Sequence, residues 1–155
     1  MAIWYLNAGS ITEDGLTPAT GYHNFSNMWD ALQINYWISQ GVDVLQDGDI
    51  IECVQGDMAV ETETYLYFYT NGVYPPAPSS TITVRSLESN TGRPAFHLPN
   101  QFLFCQGGIK FIGIDFYGSP GSQIYSFGGQ DLDVFLIDKC RFFDVAIIAT
   151  PGGGS

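Results

Sequence analysis

Apolar residues in this chain alternate within short runs, and the runs recur at nearly constant spacing. In residues 109–116 (Ile-Lys-Phe-Ile-Gly-Ile-Asp-Phe) the apolar positions are Ile109, Phe111, Ile114 and Phe116. A shift of 26 places Phe135, Ile137, Cys140 and Phe142 on them, with Lys139 on Gly113 and Arg141 on Asp115. A shift of 27 the other way places Ile82, Val84 and Leu87 on the first three, and Ile51 and Cys53 fall on Ile82 and Val84 at a looser spacing of 31. Alternation of this kind predicts strands. They are expected at 3–7, 49–54, 61–70, 81–86, 95–98, 101–105, 109–116, 123–127, 134–138, 140–143 and 145–149, most of them bounded by Gly, Pro, Asn or Ser. Within 61–70, Leu66 and Phe68 share one face and Tyr65, Tyr67 and Tyr69 the other. The spacing changes only once. Phe25, Met28, Trp29, Leu32 and Tyr36 follow steps of three and four, which predicts an amphipathic helix over 26–39 with Asn24 or Ser26 as N-cap and Gly41 as stop.

Strands this short, repeating at 26 to 31 residues, fit a coil that turns through two or three strands and stacks on the previous coil. A propeller blade needs about 40 to 45 residues. Stacked coils lie about 4.8 Å apart, so equivalent residues form columns. Val84, Phe111 and Ile137 make one expected buried column, and Leu87, Ile114 and Cys140 another. Asp115 and Arg141 are expected outside, as an exposed cross-strand ion pair. Composition agrees with an all-β chain: 155 residues, 45% apolar, with 18 glycines and 8 prolines set between the apolar runs. The parts divide into an N-terminal cap (1–48), the stacked strands (49–150) and a Gly-rich tail (151–155).

Charge narrows the partners. The net charge is −11, and it is lopsided: residues 1–84 hold ten acids and no Lys or Arg, leaving −1 for the rest. Such a surface repels polyanions, which argues against nucleic acid and against an anionic-polymer substrate. Cys53, Cys105 and Cys140 lack metal-ligand spacing and read as small buried hydrophobes, with His23 and His97 far from them in sequence. No metal site is expected. No cofactor is called for; Ca²⁺ is the one ion that the acid-rich stretch 43–63 could attract, although it lacks EF-hand spacing, and a solvated acidic rim is the simpler reading. The first residues have no basic n-region and nothing approaches a membrane span, so no signal peptide and synthesis in the cytoplasm are expected.

The order of parts carries a resemblance. A strand, then Asp14-Gly15-Leu16-Thr17-Pro18-Ala19-Thr20, an amphipathic helix, Asp47-Gly48-Asp49-Ile50-Ile51 with Gly56, and rungs such as Phe111-Ile112-Gly113-Ile114-Asp115-Phe116 resemble the start of right-handed parallel β-helix proteins. That superfamily includes pectate-lyase-like enzymes and the spike and appendage proteins of tailed phages. The resemblance implies that the first strand and helix cap one end of the solenoid. It implies a virion or appendage-type structural protein, a homo-oligomer assembled with other subunits and displaying a glycan- or host-binding face, incorporated in a virion or extracellular assembly. The alternative is the N-terminal portion of a polysaccharide lyase or glycoside hydrolase.

Two residue sets could carry chemistry. Asp115, Asp138, Lys139 and Arg141, on adjacent rungs, are the one set that offers a carboxylate pair, or an Asp with Lys or Arg, exposed on one sheet, as proton transfer at a glycosidic bond requires. Surface charge accounts for them equally well, and no catalytic residue is assigned. Tyr65, Tyr67 and Tyr69 form a stripe able to stack on sugar rings or on a partner chain, unless the loop with Pro75 and Pro76 covers it. The tail Pro151-Gly152-Gly153-Gly154-Ser155 offers no capping helix. The last coil is therefore expected to continue in a longer solenoid, to be covered by another subunit, or to lead into a flexible extension.

Overall fold

The structure, a computed structural model, describes residues 1–24, 27–28, 48–59, 64–67, 81–98, 102–106, 108–127 and 135–150. The strands among them are β1 (Ile3–Leu6), β2 (Ile50–Cys53), β3 (Gly56–Ala59), β4 (Thr64–Tyr67), β5 (Thr81–Ser86), β6 (Pro94–Leu98), β7 (Phe102–Gln106), β8 (Gly108–Ile112), β9 (Asp115–Phe127), β10 (Phe135–Asp138) and β11 (Arg141–Thr150). They form an all-β arrangement of two sheets in which every strand pair is parallel. The first sheet has the order β1-β2-β5-β8-β10, so its strands step outward in chain order. In the second, β3 and then β6 lead to the early part of β9, β4 and then β7 to its later part, and β11 runs along the other edge of β9.

Parallel register stacks like residues. In the first sheet Trp4, Ile51, Val84, Phe111 and Ile137 form one column. In the second, Met58, Phe96, Phe116 and Phe142 form another. Phe96, Phe111 and Phe116 are fully buried, and Phe111 meets Phe116 edge-on with centroids 5.3 Å apart. Phe116 stacks on Phe142 at 5.1 Å. Each buried phenylalanine contributes about 1.5 to 3 kcal/mol from removal of apolar area from water, so these columns hold the sheets together.

The expected steps of 27 and 26 are present, since Val84 lies beside Phe111 and Phe111 beside Ile137. The looser step differs: Ile51 pairs with Val84, not Ile82. A slip of two residues keeps every side chain on its face, so apolar alternation cannot detect it. The Glu52–Arg85 pair, whose Nη2 lies 2.5 Å from Oε1, matches the observed register. Residues 109–116 are not one strand. The chain turns at Gly113 (φ +73°), ending β8 and starting β9 on the other sheet, and Lys139 makes the same left-handed corner at φ +54° between β10 and β11. Gly56 opens β3, which the alternation does not predict, rather than closing β2. The separate strands expected at 140–143 and 145–149 are one strand, β11, irregular at Asp144.

The loop after β1 closes one edge of the first sheet. Tyr5 N donates to Gly15 O, Tyr22 N donates to Tyr5 O, and Asn7 N donates to Tyr22 O. Local chemistry shapes that loop. Asp14 accepts from Leu16 N and Thr20 Oγ1, and Thr17 and Thr20 cap each other around a one-turn 3-10 helix at Pro18–Thr20. Gly15, at φ +69°, leaves room for Tyr22: a Cβ there would lie 2.3 Å from its ring. Of the helix expected over 26–39, only Asn27 and Met28 lie among the described residues. Both are helical, and Asn24 Oδ1 accepts from Asn27 N at 2.8 Å, as an N-cap does. Cys53 is fully buried, as expected, and Cys140 is half-buried against the core; the side chain of Cys105 is outside the described residues. A second tie joins the turn after β5 to the end of β2. There Asn90 Nδ2 donates to Cys53 O at 2.9 Å and to Ser86 Oγ, and Asn90 Oδ1 accepts from Gln55 N.

Candidate assembly face

The two sheets end differently. β1 has the loop of residues 14–22 on its outer edge, whereas among the described residues no strand pairs with the outer edge of β10 or β11. Ile137, Phe142 and Val145 are half-buried although their neighbours Phe111 and Phe116 are fully buried and Ser122 nearly so. Leu136, Phe143 and Ile147 are exposed, at 43%, 41% and 40%. Leu136 stands on the outer face of the first sheet beside Lys110, Phe143 on the outer face of the second beside Tyr117, and Ile147 beside the buried Ile124.

Two side-chain arrays rise to this edge on the outer face of the second sheet. The first is aromatic. His97, Tyr117 and Phe143 occupy one column, with His97 stacked on Tyr117 at 5.1 Å and Tyr117 on Phe143 at 4.6 Å. His97 Nε2 lies 2.9 Å from Asp57 Oδ1, which fixes the ring at the inner end of the stack. The spacing equals the distance between strands, so each added strand adds a ring in register.

The second array is ionic. Asp115 Oδ1 accepts from Arg93 Nε at 2.6 Å and from Arg141 Nε at 2.8 Å, and Oδ2 accepts from Arg141 Nη2. Arg93 Nη2 also donates to the Lys139 carbonyl, pinning the corner before β11. The Asp115–Arg141 pairing agrees with the sequence, but its exposure does not. Asp115 is only 2% exposed, because Arg93, entering β6 from the other side, closes over the carboxylate. The hydrogen bond from Arg141, reinforced by Arg93, holds the Asp115 carboxyl below the usual carboxylate range despite its burial, and the same contact raises Arg141.

The four residues considered for proton transfer are divided by this geometry. Asp115 and Arg141 are joined on the second sheet, Lys139 lies at the corner, and Asp138 is exposed at the end of β10 on the first sheet, beside Ile112. Burial pushes the thiols of Cys53 and Cys140 up, so neither is an activated nucleophile at neutral pH. Tyr65 and Tyr67 pair in register with Phe104 and Gln106 on β7. Their side chains, and Tyr69 altogether, lie outside the described residues, as does much of the acid-rich stretch 43–63. Among the described residues there is no group of three or more His, Cys, Asp or Glu placed to hold a metal, and no helix is long and apolar enough to cross a membrane.

No family model, curated protein or solved structure matches this chain.

The geometry also reveals residues that sequence reasoning missed. Arg93 lies outside every predicted strand. His97 and Tyr117 are 20 positions apart and so fall outside a repeat taken as 26 to 31. Their signal was present in the sequence, since Tyr117 and Phe143 are spaced by the recognised 26.

Proposed function

We propose that this chain is a short right-handed parallel β-helix acting as a structural subunit of the virion or appendage type, which joins other chains through its β10–β11 end. Two features support the solenoid: strands that step through the first sheet in chain order, and parallel pairing throughout. Right-handed crossovers are the general rule for parallel strands in one sheet. The observation that carries the assembly reading is the contrast between β1, whose outer edge is bonded by residues 14–22, and β10 and β11, which carry the exposed Leu136, Phe143 and Ile147 and, among the described residues, have no strand partner on their outer edge. A charged side chain at such an edge opposes strand addition without disturbing the interior. Sedimentation velocity on the parent chain and on Ile147→Lys tests the reading. The parent is expected to sediment as an oligomer, or to co-sediment with another subunit, and Ile147→Lys to sediment as a folded monomer. A parent that stays monomeric across the micromolar range and captures no subunit would overturn it.

A further inference from the structure

We infer that His23 and Glu13 form a proton-controlled latch on the loop that closes the β1 edge: with the imidazole doubly protonated and the carboxylate ionised the loop is held against β1, and loss of either charge loosens it. The loop reaches β1 through three amides, Tyr5 N donating to Gly15 O, Tyr22 N to Tyr5 O and Asn7 N to Tyr22 O. His23 follows Tyr22 directly, so whatever fixes His23 fixes the last of these contacts.

Both ring nitrogens of His23 face oxygens that can only accept. Nε2 lies 2.6 Å from the Ser10 carbonyl, and Nδ1 lies 3.2 Å from Glu13 Oε1. A neutral imidazole has one N–H to give, so with Nε2 bonded to Ser10 its Nδ1 lone pair is turned toward a carboxylate. The imidazolium places a proton at each contact. Ser10 is itself fixed, its Oγ donating to Gly21 O and its N to Asn7 O, so the ring ties two parts of the loop.

Glu13 gathers the same region. It accepts from His23 N, and Asn27 Nδ2 lies 2.8 Å and 3.1 Å from its two oxygens, which joins the loop to the helical residues that follow. Burial works against the Glu13 carboxylate, but the hydrogen bonds from Asn27 and from the His23 backbone, with the charge of His23, outweigh it and hold the carboxyl below its ordinary 4.5. Asp14, next along the loop, is taken up by Leu16 N and Thr20 Oγ1. Burial, then the charges of Asp14 and Glu13, raise the Tyr22 phenol, which stays neutral throughout. Residues 1–84 hold no Lys or Arg, so His23 is the one side chain in that acidic half that can become a cation.

The signs define a window. The Glu13 contribution is complete above 4.5 and is lost as pH falls through its lower folded value. The His23 contribution is present while the ring is charged and is lost as the second proton leaves, which for histidine ordinarily occurs near pH 6.5, about the middle of the neutral range. The β1 edge is therefore shut most firmly in mild acid.

Amide hydrogen exchange of Tyr5, Asn7 and Tyr22 at about pH 5.5 and about pH 8, corrected for intrinsic exchange and referred to the amides of β5, tests the latch. Protection of the three amides in the parent is expected to fall about two- to fivefold at the higher pH, the effect of one partly exposed ion pair. Glu13→Gln, which keeps an accepting oxygen, and His23→Gln are each expected to lower protection in mild acid and to abolish the dependence on pH. Parent protection that is equal at the two pH values overturns the inference, and that comparison decides alone if a variant folds poorly. A pH dependence that survives in both variants, or variants that lose protection equally at both pH values, overturns it too. None of these outcomes bears on the assembly reading.

Discussion

Replacing Asp115 by Asn tests whether the ionic array is a structural tie. The carboxylate is nearly inaccessible and accepts three hydrogen bonds from two guanidinium groups. A hydrogen bond to a charged group contributes about 1.5 to 3 kcal/mol, and removing one partner of a fully buried pair costs about 3 to 5 kcal/mol. Here the arginine side chains are 34% and 55% exposed and regain water when the carboxylate is neutralised. The expected loss for Asp115→Asn is therefore about 2 to 3 kcal/mol at neutral pH. With a urea dependence of about 2 kcal/mol per molar, this moves the unfolding midpoint by about 1 to 1.5 M. The pH dependence has a definite sign. Because the folded-state pKa lies below the ordinary value of 3.8, the stabilisation is complete above that value and disappears as pH falls through the lower one. Parent and variant are expected to converge in strong acid. Urea titrations followed by tryptophan fluorescence at pH 7 and in strong acid measure both effects; a loss under about 0.5 kcal/mol at pH 7, or an equal loss in acid, refutes the reasoning.

Two further expectations follow from local geometry. Lys139→Gly removes a non-glycine residue from a left-handed corner that Gly113 occupies between β8 and β9, and should raise stability by about 0.5 to 1 kcal/mol, net of the greater freedom of the unfolded chain, as read by thermal melting. Asn90→Ala removes the ties to Cys53 O, Ser86 Oγ and Gln55 N, and should cost about 1 to 3 kcal/mol in chemical denaturation, with faster amide exchange at Gln55.

The strand positions were legible where a stack repeats apolar residues in register, as at Val84, Phe111 and Ile137, because burial demands the same residue class in each paired strand. Corners and registers were less so. Gly113 reads as a strand interior until its positive φ is known, and a two-residue slip at Ile51 leaves the pattern unchanged. The ion pair of Asp115 with Arg141 could be read from their spacing, but its burial depended on Arg93, which reaches it from the entrance of another strand. The tyrosines at 65 and 67 stand out in the sequence because residues 65–69 alternate strictly. The His97–Tyr117–Phe143 column spans three separate strands and so has no local signature.

The closed edge of β1 also gives unfolding a direction. Residues 14–22 bind that strand from outside, so its amides cannot open before the loop is lost. At the other end, β10 and β11 have strand neighbours on one side only among the described residues. In a stack whose units touch mainly their immediate neighbours, opening spreads from the least-supported unit. In the separated chain, hydrogen exchange should therefore decline in steps from β11 back toward β2, and a load applied to β11 should peel the strands away in order while those near β1 hold.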